Sequence, residues 1–74
     1  MSKRYSSAEV LTALQGAGFQ RVSQKGSHVK LRATTAGRTH TVIVKHPAQT
    51  VPAGTFASIL RQAGLSRHEF DSFV

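Results

Sequence analysis

Gln24-Lys25-Gly26-Ser27-His28-Val29-Lys30-Leu31-Arg32-Ala33, residues 24–33, reads as a turn followed by a strand. Gly26 supplies the positive φ that a tight turn needs. From His28 onward polar and apolar residues alternate with the period of two that gives a strand one buried and one open face. His28, Lys30 and Arg32 therefore share one face, and Val29, Leu31 and Ala33 the other. The first set places an imidazole, the side chain that titrates nearest neutrality, beside two cations at a glycine turn. Such a group suits proton transfer close to a phosphate. The same segment also fits a solvent-facing histidine at the start of an exposed strand.

Working outward, Phe19 to Ser23, with Val22, is a short strand that completes a hairpin with residues 28–34. Thr35-Ala36-Gly37 marks a second turn, and the Thr, Val and Ile content of Thr39 to Lys45 predicts a third strand. Val42 and Val44 are expected inward, which puts His40 and His46 on their side. His46-Pro47 ends the strand, since proline has no ladder donor. Upstream, Ser6-Ser7-Ala8-Glu9 is a capping box, and Val10, Leu14 and Ala17, widened by Leu11 and Ala13, form the stripe of a helix over about 6–17. Gly18 is its left-handed stop, with Phe19 folding back as a core anchor. Downstream, Pro52-Ala53-Gly54-Thr55 leads into a helix through Phe56, Ile59, Leu60 and Ala63 that Gly64 stops. Ser66-Arg67-His68-Glu69 is a second capping box, opening a short helix whose Phe70 and Phe73 are expected in the core. Tyr5 is the one aromatic expected at the surface, and His68 is expected to be exposed and inert.

The chain has 74 residues, enough for one domain with a thin core, in which folding buries about 60% of the unfolded surface. One sheet with helices on one side fits that size. The absence of cysteine excludes disulfides, thiolate zinc sites and a cysteine nucleophile. No apolar run approaches the ~20 residues of a membrane helix, and Met1-Ser2-Lys3-Arg4 is not followed by a signal-peptide stretch, so a soluble, cytoplasmic protein is expected. Ten Lys and Arg against three acids give a net charge of +7. That balance points to an anionic partner, nucleic acid or an acidic protein.

The resulting fold class is α+β, and the order α-β-β-β-α, with a short C-terminal helix, is that of the double-stranded RNA-binding (dsRBD-like) fold: a three-stranded antiparallel sheet with helices packed on one face. A duplex-binding module of that class carries a lysine cluster at the start of its last helix. Here Pro52 to Ala57 has no charge. The cations gather instead on the hairpin, at Arg21, Lys25, Lys30 and Arg32, near His28.

In this setting the chain resembles the HicA toxins, small endoribonucleases of toxin-antitoxin systems. The likeness runs over nearly the whole chain: Leu14 to Phe19, Gly26-Ser27-His28, Val44-Lys45-His46, then Val51, Pro52, Gly54, Thr55, Ile59, Leu60, Gln62, Ala63, Gly64, Leu65, Ser66 and Phe70. Ala48 departs from the glycine that relatives often carry in that loop. The resemblance implies cleavage of mRNA, inhibition by a HicB antitoxin, and a catalytic role for His28 with Gly26 and Ser27 as its supporting turn. RNA carries its own nucleophile, so a neutral His28 can accept the 2′-hydroxyl proton while Lys25, Lys30 or Arg32 stabilises charge on the phosphoryl oxygens. No metal or other cofactor is called for. His40 or His46 are candidates for the acid at the leaving oxygen, with a structural role as the other reading of each.

Other readings remain at this level. A non-catalytic RNA-binding module of the same fold has the same charge, and so does an inactive chain that only binds an acidic partner. A hydrolase triad lacks a carboxylate behind His28, because Glu9, Glu69 and Asp71 are accounted for at helix starts. A metal site from His28, His40 and His46 lacks a carboxylate to orient its ligands. The phenylalanines sit at core positions and offer no base-stacking platform.

Overall fold

The computed structural model describes residues 4–74; Met1-Ser2-Lys3, read above as lacking leader character, lie outside them. The chain runs α1 (Ser7–Gly16), β1 (Gln20–Lys25), β2 (His28–Thr35), β3 (Arg38–Lys45), α2 (Ala53–Ala63) and α3 (Arg67–Asp71). The strands form one antiparallel sheet in the order β1-β2-β3. This is the α+β, α-β-β-β-α plan with a short terminal helix that the sequence predicts. No helix of the described residues is long and apolar enough to cross a membrane.

Two tight turns set the register. Lys25 pairs with His28 around Gly26-Ser27, and Thr35 with Arg38 around Ala36-Gly37. At the first turn only Gly26 has positive φ, +58°, the sign pattern of a type II′ hairpin, which favours glycine at the first central position. The Gln24 side-chain amide donates to the Gly26 carbonyl at 3.1 Å and braces it. At the second turn both central residues have positive φ, 53° at Ala36 and 76° at Gly37, as a type I′ turn requires. Ala36 adopts that conformation without a glycine's freedom.

With this register Val29, Leu31, Val42 and Val44 all point to one face and are fully buried, while Ile43 points to the other. The helices cover the apolar face. Val10, Leu11, Ala13 and Leu14 of α1 and Phe56, Ile59 and Ala63 of α2 meet the valines and Leu31 in one core. Both capping boxes form: the Ser6 hydroxyl accepts from the Glu9 amide at 3.1 Å and the Ser66 hydroxyl from the Glu69 amide at 3.0 Å, with the glutamates reaching back. The two helices before glycine end alike. Phe19 N–H donates to Leu14 C=O at 2.9 Å and Leu65 N–H to Leu60 C=O at 3.1 Å, each across a left-handed glycine, Gly18 or Gly64, in the pattern of a Schellman closure.

Three side chains depart from expectation, all in or beside α3. Tyr5 is not exposed; it is buried, with its ring 5.6 Å from that of Phe56 and 5.4 Å from that of Phe70. Its hydroxyl escapes the cost of burial by donating to Asp71 Oδ1 at 2.7 Å. Asp71, correspondingly, does not cap a helix start: it closes α3 and also accepts from Arg67 Nε at 3.1 Å. Phe73 stays 40% exposed and lies over Gly16, because Phe70, with no exposure, already fills the core position that α3 can reach. A five-residue helix has no stability of its own; burying Phe70, of order 1.5–3 kcal/mol, holds it in place.

The Tyr5 hydroxyl, followed by the Arg67 guanidinium, holds the Asp71 carboxyl below its usual 3.8, and the same hydrogen bond raises the Tyr5 hydroxyl above 10.0. A carboxyl lowered in the folded state contributes stability above its unfolded value and loses it as the pH falls through the folded one. Urea titrations should therefore find that Asp71→Asn narrows its deficit against the parent protein as the pH drops below about 4, with both proteins converging in stronger acid. Ala36→Asn should raise the unfolding free energy by about 0.5–1 kcal/mol by relieving part of the cost of a left-handed alanine, read as a higher urea midpoint at constant slope.

Candidate functional site

The open face of the sheet carries Lys25, Lys30, Arg32 and Lys45. Strand register puts Lys25, His28 and Lys45 directly across from one another on β1, β2 and β3, and Ser23, Lys30 and Ile43 in the next row. Facing residues of an antiparallel pair stand about 4.5–5.5 Å apart at Cα, so His28 is flanked on both sides by a lysine. Its ring is exposed, and no hydrogen bond to it forms among the described residues. Arg32 follows on the same face, opposite Thr41. Among the described residues none of Lys25, Lys30, Arg32 and Lys45 is paired with a carboxylate.

The turn presents His28 because it is anchored at both ends. Gly26 bends the chain, and the Ser27 carbonyl accepts from the His46 amide at 2.7 Å, tying the hairpin to the end of β3. Gly26 and Ser27 thus stand beside His28 as the supporting turn. Arg21 does not join this cluster. A bulge between Arg21 and Ser23 changes the parity of β1, and Arg21 pairs with Leu31, whose side chain is in the core. It therefore leaves the edge strand on the helix side. Lys45 is what sequence reading missed: the signal was available, since two two-residue turns fix which residues of β3 face His28, but turn lengths had to be known first.

His40 and His46 are on the helix side, as expected from their parity with Val42 and Val44. A Cβ on Gly64 would fall 2.8 Å from His40 Cε1, so this ring packs over the end of α2. His46 Nδ1 lies 2.8 Å from the Ser7 hydroxyl, which also accepts from the Ala48 amide at 2.7 Å. Buried Ser7 thus bridges the Ala48 amide and the His46 ring. Both histidines therefore join the sheet to the helices, and neither reaches the row of His28. A site combining His28, His40 and His46 is ruled out by their faces, and among the described residues no group of three or more histidines or acids has metal-binding spacing. His68 is exposed on α3, remote in the chain from the hairpin.

The model of a protein family described as "HicA toxin of bacterial toxin-antitoxin" matches residues 7–65. The chain belongs to the HicA toxin family. The match spans α1 through the glycine end of α2 and takes in the whole sheet with its open face. It makes the protein the toxin of a toxin-antitoxin pair, with an antitoxin as its partner. No individual curated protein matches the chain.

Ser7 is the residue on which the His46 loop depends. Ser7→Ala should cost about 1–3 kcal/mol, because it leaves the half-buried Ala48 amide and His46 Nδ1 without their partner; equilibrium denaturation measures this directly.

Proposed function

We propose that this HicA-family chain is a single-domain endoribonuclease of mRNA, an mRNA interferase, and that His28 is its general base. The observation that carries the proposal is an exposed imidazole set between Lys25 and Lys45 on an otherwise cationic, unpaired sheet face. The 2′-hydroxyl of the substrate gives its proton to His28, and its oxygen attacks the adjacent phosphorus. The P–O5′ bond breaks, leaving a 2′,3′-cyclic phosphate and a 5′-hydroxyl. Lys25, Lys30 and Arg32, joined by Lys45, hold the phosphodiester and stabilise the charge that develops on its free oxygens. Gly26 and Ser27 keep the imidazole at the turn. Arg21 meets only RNA that wraps round the β1 edge. Since His40 and His46 are engaged on the helix side, the proton for the leaving 5′-oxygen has the ammonium groups of Lys25 and Lys45 as its nearest protein sources.

The charge of the same face supports a HicB-type antitoxin that covers His28 with acidic side chains, since complementary potential speeds association and selects the partner. The protein acts in the cytoplasm, where mRNA and antitoxin both are.

Purified protein should cut single-stranded RNA and leave the deoxy analogue intact, because DNA lacks the attacking hydroxyl. His28→Ala should lower the cleavage rate by about 10²–10⁴-fold, the usual contribution of a general base, while binding of the deoxy analogue is retained. EDTA should leave the rate unchanged. Binding of RNA without scission by the parent protein would overturn the nuclease in favour of a binding module, and loss of activity in EDTA would overturn the mechanism.

A further inference from the structure

The row beside His28 contains a residue that phosphate chemistry does not need. Ile43 is 39% exposed on the cationic face, directly opposite Lys30, with Ser23 on Lys30's other side. Ser23, Lys25, His28, Lys30 and Ile43 line a depression of about 440 Å³, within the roughly 300–1,000 Å³ common for small-molecule sites. The strand preference of β-branched residues accounts for an isoleucine in β3, but equally for Thr41 two residues away, which adds no apolar surface. The strand is also fixed here: the Ile43 amide donates to Gln62 Oε1 of α2 at 3.3 Å. Val22, the other exposed aliphatic side chain of this face, lines a separate depression with Gln20, Arg32 and Thr34.

We propose that the Ile43 depression is a nucleobase subsite, which seats the base of the nucleotide whose 2′-hydroxyl faces His28. The proposal rests on the nuclease reading above for the identity of that nucleotide. A base is a flat apolar plate with polar edges, attached through a ribose to an anionic backbone. Its face covers Ile43, the Ser23 hydroxyl meets its edge, and Lys25 and Lys30 hold the flanking phosphates. His28 and Lys30 are two residues apart on β2, about 6.6 Å along a strand, so a base resting beside Lys30 leaves its own ribose next to the imidazole. A bare anion gains nothing from an isoleucine floor, and an apolar peptide side chain gains nothing from two ammonium groups. A nucleotide uses both. Every base has a face to bury, so the subsite favours a base over its absence and leaves discrimination between bases to Ser23.

A short deoxyoligonucleotide, which cannot be cut, tests this with the intact protein. Titrated into ¹⁵N-labelled protein, it should shift the amides of Ser23, His28, Lys30 and Ile43, and an oligonucleotide with one abasic position should bind about tenfold more weakly, the order expected for loss of one base contact. Ile43→Ser should remove that difference and raise KM for RNA by a similar factor with kcat little changed, while Val22→Ser does neither and both variants keep the parent's melting temperature. Equal affinity for intact and abasic oligonucleotides, or an unchanged KM in Ile43→Ser, would overturn the subsite. If the parent protein cuts no RNA but still prefers the intact oligonucleotide in an Ile43-dependent way, the subsite stands and the nuclease reading falls. Cleavage with base-independent binding removes the subsite alone.

Discussion

Alternation along two adjacent strands, locked in register by two-residue turns, is the constraint on which the molecule rests. A slip of one residue between β2 and β3 would exchange their faces, moving Val42 and Val44 into water and Ile43 and Lys45 toward the helices. The glycine conformations at Gly26 and Gly37 prevent this by fixing Lys25 opposite His28 and Thr35 opposite Arg38. The same register that buries Val29, Leu31, Val42 and Val44 gathers Lys25, Lys30, Arg32, Lys45 and His28 on the open side. Folding and the cationic face have a single cause. In so small a chain this is economical: the core requires one side of the sheet only, and the other is left open to solvent.

The helices contribute to that face indirectly. α1 and α2 supply the cover for the apolar side, and the start of α1 fastens the loop between β3 and α2. Ser7, Ala48 and His46 form one connected set, extended by hydrogen bonds between Ser7 N–H and the Ala48 carbonyl at 2.9 Å and between Val51 N–H and the Tyr5 carbonyl at 2.8 Å. Through the bond from the His46 amide to Ser27, this set reaches the turn that carries His28. A histidine that looks suited to acid catalysis in the sequence is thus a strut. The chemistry divides by face: imidazole and ammonium groups toward solvent on one side, imidazoles used for packing and hydrogen bonding on the other.

At the C-terminal end, α3 closes the core through Phe70 and an aromatic group with Tyr5 and Phe56. The rings of Phe56 and Phe70 meet edge to face at 5.0 Å, and the Arg67 guanidinium lies 5.0 Å from the Phe56 ring centre. Tyr5 and Asp71, 66 positions apart in the chain, stabilise opposite protonation forms of each other: the hydroxyl stays protonated because the carboxylate accepts from it, and the carboxyl stays ionised because the hydroxyl donates. This contact joins residues near the two ends of the chain.

Local chemistry was enough to read the element order, the capping boxes at Ser6 and Ser66, the glycine helix ends and the inward facing of Val42 and Val44. Each depends on residues within a turn or a strand repeat of one another, so their signals lie side by side in the sequence. The exposure of His28 on a lysine-bearing face also followed from alternation alone. Long-range placement decided the rest. Lys45 beside His28 and the Ile43 depression required the pairing of β2 with β3, and the exclusion of Arg21 required a bulge that no local pattern announces. The burial of Tyr5, the partner of Asp71 and the exposure of Phe73 depended on which side chain reached a crowded core first in space, not in sequence. His46 turned out structural because Ser7, 39 positions earlier, holds its ring. A sequence states what each segment prefers; which distant groups satisfy one another is settled only when the segments pack.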